Sequence, residues 1–264
     1  MGEKLTYWQR TFDTVHIAAG QPVEARFFET HPYLDGSTRV TEFHEKQIVR
    51  WLMLCRDSRD LILEALRLPA AAFYCPEVVS PFYEPGKGDI DLILCPPLLP
   101  SEALVLECKC IKVESVNADQ DKMNKLQRVG GGVCQAKRLY DLHAFFETYL
   151  AIITLVDASS QDQDVSNILF RGVRSDTTPQ DGDTKTTTFK QIVEFPGRSE
   201  LYSGHYDHIG IIHIEVVQPS RLSIDKQATV AVCVFRRAKP REQHNNVTHH
   251  IREIMHSDAQ WRNA

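Results

Sequence analysis

From position 41 onward the apolar residues fall first into a helical spacing and then into strand-like runs. Ile48, Trp51, Leu52 and Cys55 recur at i, i+3, i+4 and i+7, and Leu61, Ile62, Ala65 and Leu66 follow before Pro69. That spacing predicts a long helix over 41–66 with a break near Ser58. Three short runs come next: 72–80 with Phe73, Tyr74, Val78 and Val79, then 89–95 closed by Pro96-Pro97, then 103–113 after a turn at Pro100-Ser101. They read as a three-stranded antiparallel meander. The polar stretch 115–128 reads as a loop, Gly130-Gly131-Gly132 leads into a helix over 133–149, and the continuous apolar run 150–156 suits a buried strand.

The flanks are less regular. Residues 1–40 mix aromatics and charges without a period and read as an N-terminal arm. After Asp157, polar runs at 159–164 and 176–188 predict loops around a short element at Ile168-Leu169-Phe170. Strands are expected at 209–217 and 228–235, extending the sheet or forming a small β subdomain, and an amphipathic helix over 242–264. The chain thus divides into an arm (1–40), an α/β core (41–157) of order α-β-β-β-α-β with a mixed sheet flanked by helices, and a C-terminal β-rich extension (158–264).

Composition narrows the class. With 264 residues, 42% hydrophobic and 25% charged, the chain can bury a large core as one elaborated soluble domain. Seven cysteines, an odd count without a C-x-x-C pair, lie mostly inside apolar runs and read as buried thiols of a reducing compartment. No apolar stretch reaches the roughly 18 to 20 residues needed to cross a bilayer, and Met1 to Thr6 lack an apolar signal core, so a cytoplasmic protein without a membrane partner is expected. Met1-Gly2 with Thr6 fits the loose myristoylation pattern, to which Glu3 and Lys4 add nothing.

The formal charge of −5 excludes a protein that coats nucleic acid by bulk attraction, so any polynucleotide site must be local. One basic strip comprises Lys112, Lys122, Lys125, Arg128, Lys137 and Arg138, and a second is Arg236-Arg237-Ala238-Lys239-Pro240-Arg241; each also reads as a solvated loop.

The strands 89–95 and 103–113 carry charge where a sheet core should have little. Alternate residues of a strand face the same way, so Asp89 and Asp91 share a face, as do Glu107 and Lys109, while Cys108 and Cys110 point to the other side. If the strands pair, three carboxylates and an amine converge, a hard-oxygen donor set suited to Mg²⁺ or Mn²⁺, with a lysine able to position or deprotonate a water. The competing reading is a surface hairpin with one charged face. Two further polar residues lie on apolar helical stripes: Glu45 with Ile48 and Leu52, and Gln135 with Leu139, Leu142 and Phe146.

Gly88-Asp89-Ile90-Asp91-Leu92-Ile93 ahead of Glu107-Cys108-Lys109 resembles the PD-(D/E)xK nuclease superfamily, of restriction-endonuclease-like fold, and especially its Holliday-resolvase-like and Mrr-like branches. The resemblance covers residues 41–157. It implies a Mg²⁺-dependent deoxyribonuclease in which Asp91, Glu107 and the backbone carbonyl of Cys108 hold the metal, Glu45 and Asp89 assist it, Lys109 activates water, and Gln135 serves near the site. DNA is the expected partner, contacted by the basic strip from Lys112 to Arg138, and the products carry 5′-phosphate and 3′-hydroxyl ends. Defence against foreign DNA, restriction and repair all use such a core. A second copy of the chain, or an ATPase, helicase or sensor subunit, is expected to act through the extension.

Other readings stay open. A non-catalytic nucleic-acid-binding or assembly subunit would keep this fold, and a phosphoesterase acting on small nucleotides would use the same metal chemistry. Gly204-His205-Tyr206-Asp207-His208 with His213 is a weaker candidate zinc site, since no cysteine or acidic ligand recurs at a zinc-site interval. Gly130-Gly131-Gly132 lacks the Lys-Ser/Thr of a phosphate-binding loop.

Overall fold

A computed structural model describes residues 7–13, 43–79, 81–83, 88–113, 118–157, 197–218 and 227–262. Its elements are β1 (Tyr7–Asp13), α1 (Glu45–Leu54), α2 (Arg56–Ala65), β2 (Phe73–Val78), β3 (Ile90–Cys95), β4 (Leu104–Val113), α3 (Ala118–Leu142), β5 (Glu147–Asp157), α4 (Arg198–Tyr202), β6 (Gly210–Gln218), β7 (Gln227–Arg236) and α5 (Asn245–Arg262). Short 3₁₀ turns cover Pro100–Glu102 and Gly204–His208.

The seven strands form one mixed sheet in the order β1-β7-β6-β5-β4-β3-β2. β2, β3 and β4 are the expected antiparallel meander, whereas β4, β5 and β6 run parallel. β6 and β7 extend this sheet, and Tyr7–Asp13, expected to be part of an irregular arm, closes it as a strand antiparallel to β7. The Ile168-Leu169-Phe170 element lies outside the described residues.

Helices cover both faces. On one, Ile48, Trp51, Leu52, Leu61 and Ile62 of α1 and α2 pack on Leu92, Leu94, Leu104, Leu106, Ala151 and Ile212. On the other, Val129, Val133 and Ala136 of α3 pack on Ile111, Leu150, Ile152 and Ile211, and Val247, Ile251 and Ile254 of α5 on Ile93, Val105 and Phe145. Strands buried on both faces read as continuous apolar runs, which is why 150–156 is legible. Among the described residues no helix is long and apolar enough to cross a membrane.

Three expectations are corrected. The first helix breaks at Cys55, whose extended backbone ends α1 and starts α2; buried Ser58 bridges the break, its hydroxyl donating to the carbonyls of Leu52 at 2.6 Å and Cys55 at 3.1 Å. Most of the supposed loop 115–128 is helix, so the three glycines lie inside α3 rather than before it. That helix stops at Leu142, not at position 149, because Glu147, Thr148 and Tyr149 already belong to β5, where they pair with Leu104, Val105 and Leu106.

Candidate functional site

The site lies where β4 outruns β3. Pairing between them covers Leu92–Leu94 with Leu104–Leu106, while β5 accompanies β4 on its other edge as far as Val113. Beyond Leu106, carboxylates take up N–H groups that a strand partner would otherwise bind. Asp91 Oδ2 accepts the backbone N–H of Cys108 at 2.7 Å, and Glu45 Oε2 accepts that of Cys110 at 2.7 Å. Glu45 opens α1, so its carboxylate also lies at the positive end of that helix's dipole.

Lys109 ties the cluster together. Its ammonium lies 2.7 Å from Glu107 Oε1, donates to the Cys108 carbonyl at 2.7 Å, and reaches Glu45 Oε1 at 3.3 Å. Glu107 is only 3% exposed. Burial, reinforced by the charge of Asp91, pushes the Glu107 carboxyl up to about 7; burial raises Asp91 to about 6 despite the opposing pull of Lys109. Burial works against the Lys109 ammonium, but Glu107, Glu45 and Asp91 outweigh it and the lysine pKa is raised.

The sequence candidates divide accordingly. Asp91, Glu107, Lys109, the Cys108 carbonyl and Glu45 come together. Asp89 stands beside them but is engaged by Lys46. Gln135 is exposed on α3, and its expected stripe does not hold: Leu139 is buried, Leu142 is 58% exposed, and Phe146 lies beyond the helix. Lys112 is half-buried and Arg128 and Arg138 are exposed. Burial, helped by Glu45, pushes the Cys110 thiol up to about 12 against the charges of Lys112 and Arg128; burial likewise raises the Tyr83 hydroxyl against the charge of Arg138. Lys137 pairs with Glu200 at 2.9 Å. Lys122 and Lys125 lie on α3, with side chains outside the described residues.

The second basic strip is largely structural. Arg241 donates to the carbonyls of Tyr140 and His143 at 2.7 Å and of Phe145 at 3.0 Å, Arg236 to that of Ile209, Arg237 to that of Ala65 at 3.0 Å, and Lys239 pairs with Asp207 at 2.7 Å.

Several neighbours carried no usable signal in the sequence. Lys46, which holds Asp89, follows Glu45 without any pattern. Gly132 packs on the Lys109 stem, and only its odd place in a glycine run hinted at it. Under α3's face of the sheet, His213 Nε2 meets Thr154 Oγ1 at 2.9 Å, and Glu215 Oε1 is buried without a hydrogen-bond partner; these polar residues were hidden inside an apolar strand run.

The donor set fits a hard divalent cation. Asp91, Glu107 and Glu45 share one ammonium, so the ionised cluster carries excess negative charge in a buried place, a condition that a cation relieves. Mg²⁺ characteristically uses one or two carboxylates and keeps several waters. Among the described residues no group of three or more His, Cys, Asp or Glu side chains is already spaced to hold a metal, the carboxylates of Asp91, Glu107 and Glu45 included. The three histidines have separate partners: His205 lies 3.6 Å from Asp141, His208 meets Tyr140 at 3.2 Å, and His213 is buried against Thr154.

Fold and site together define an α/β protein with a carboxylate and lysine cluster on the edge of a mixed, helix-flanked sheet. Comparison of the chain with known protein families, curated proteins and solved structures found no match.

Proposed function

We propose that the protein is a metal-dependent nuclease of the PD-(D/E)xK, restriction-endonuclease-like type, hydrolysing phosphodiester bonds in DNA. The observation that carries this reading is the meeting of Asp91, Glu107, Glu45, the Cys108 carbonyl and the Lys109 ammonium at one open strand edge. A surface hairpin would leave these groups in water; here Glu107 is buried beside a second carboxylate, a costly arrangement unless function requires it.

Asp91, Glu107 and the Cys108 carbonyl would hold Mg²⁺, with Glu45 next to them and Asp89 on the outer side with Lys46. The bound ion would supply Lewis-acid polarisation of the phosphate and a more acidic water. Lys109 serves as a hydrogen-bond donor: its neighbours favour the ammonium form, which orients the attacking water and offsets charge growing on the phosphate. Lys112, Arg128 and Arg138 flank the cluster and contact the backbone without reading sequence.

The test is cleavage of plasmid, linear and single-stranded DNA, and of RNA, with Mg²⁺, Mn²⁺ or chelator. Lys109→Ala should lower the rate by about 10² to 10³, and Asp91→Ala should abolish metal-dependent cleavage. A Lys109→Ala protein as active as wild type sinks the assignment. Binding without metal-dependent cleavage points instead to a non-catalytic nucleic-acid-binding subunit, and turnover of mononucleotides alone to a small-nucleotide phosphoesterase.

A further inference from the structure

We propose that Gly132 is a positioning residue for Lys109: the bare backbone of α3 at this point fixes the lysine stem and thereby aims its ammonium at the carboxylates. This inference rests on the nuclease reading for its catalytic consequence, but not for its geometry.

A Cβ placed on Gly132 would lie 2.4 Å from Lys109 Cγ, 3.2 Å from Lys109 Cδ and 3.2 Å from Leu150 Cδ1. The first distance is a clash, so the present path of the stem requires glycine. Gly131, one residue earlier, differs: a Cβ there would meet nothing within 4 Å. Glycine disfavours a helix interior, and at Gly131 no close approach explains it, whereas at Gly132 the lysine does.

The constraint matters because lysine is a point charge on a four-carbon stem with many rotamers. Here the side chain is 14% exposed, and its ammonium faces three oxygen acceptors, Glu107 Oε1, Glu45 Oε1 and the Cys108 carbonyl. Gly132 walls the stem from the helix side. Any side chain at 132 displaces it and withdraws the ammonium from the point where water and phosphate must meet.

Gly132→Ala, Gly131→Ala and both in a Lys109→Ala background separate this from a general packing role. Gly132→Ala should lower kcat by about 10²-fold, the typical cost of misplacing a reacting group by about 1 Å, with KM for DNA within about threefold. Gly131→Ala should leave kcat unchanged and melt no lower than wild type. Gly132→Ala should also lower the melting temperature by about 3 °C or more, and most of that loss should vanish in Lys109→Ala, which lacks the clashing Cγ and Cδ. A Gly132→Ala protein with wild-type kcat, or a melting loss equally large without the lysine stem, overturns the proposal. If wild type cleaves no polynucleotide, the nuclease reading fails, and the melting cycle still decides whether Gly132 acts through Lys109.

Discussion

The carboxylate of Asp91 accepts the backbone N–H of Cys108 at 2.7 Å, replacing the strand partner that β3 does not provide. The same side chain therefore has two duties, closing a backbone hydrogen bond and presenting charge. Asp91→Asn retains an acceptor and should fold as wild type, whereas Asp91→Ala strands a partly buried N–H and should lose about 1 to 3 kcal/mol. Both should lose Mn²⁺ affinity. Chemical denaturation paired with Mn²⁺ titration checks the two duties separately.

Stability should fall as pH rises. Unfolded Asp and Glu titrate near 3.9 and 4.3, while Asp91 and Glu107 are raised to about 6 and about 7 in the fold. A raised carboxyl binds its proton more tightly when folded, so its contribution is present below the unfolded value and lost as pH passes through the folded one. In chelator, a loss of several kcal/mol is expected between pH 4 and about pH 8. Mg²⁺ should restore it at pH 8 and do little at pH 5, as differential scanning calorimetry would show.

Exposed and carbonyl-bound arginines should behave oppositely. Arg241→Ala leaves the carbonyls of Tyr140, His143 and Phe145 without their donor and should lose about 1 to 3 kcal/mol. Arg138→Ala should melt as wild type yet bind DNA more weakly, with the slope of log affinity against log salt reduced by about one. Equal effects on DNA binding from both would count against α3 as the contact surface.

Glu215 offers a control away from the cluster. Burial raises its carboxyl to about 8, so it folds neutral, and its contribution is lost as pH climbs through that value. Glu215→Gln should match wild type near pH 6 and be more stable by about 1 to 3 kcal/mol at pH 9. A pH-independent difference between the two proteins would disprove the assignment.

Much of the fold was legible because its strands alternate or run apolar. Leu92, Leu94, Leu104 and Leu106 share one face and Ile93 and Val105 the other, as period two requires. The first turns of α3 are not legible by that route: residues 118–128 carry no apolar stripe, and only the helix propensity of Ala118, Gln120, Lys122, Met123 and Lys125 marks them. β1 is not legible in the sequence because its pairing with β7 joins positions more than two hundred residues apart, and a single short segment carries no trace of such a partner.

Sequence alone determined the chemistry offered, namely Asp91, Glu107 and Lys109 on neighbouring apolar strands, since side-chain type and period two follow directly from residue order. Only the tertiary structure decided how those groups are used. Glu45 reaches the cluster from another element, Lys46 draws Asp89 aside, Gln135 remains exposed, and Gly132 presses on the lysine stem. The physical reason is range: alternation is a local property of the backbone, whereas contacts and pKa shifts arise from burial and from charges that packing brings together across distant parts of the chain.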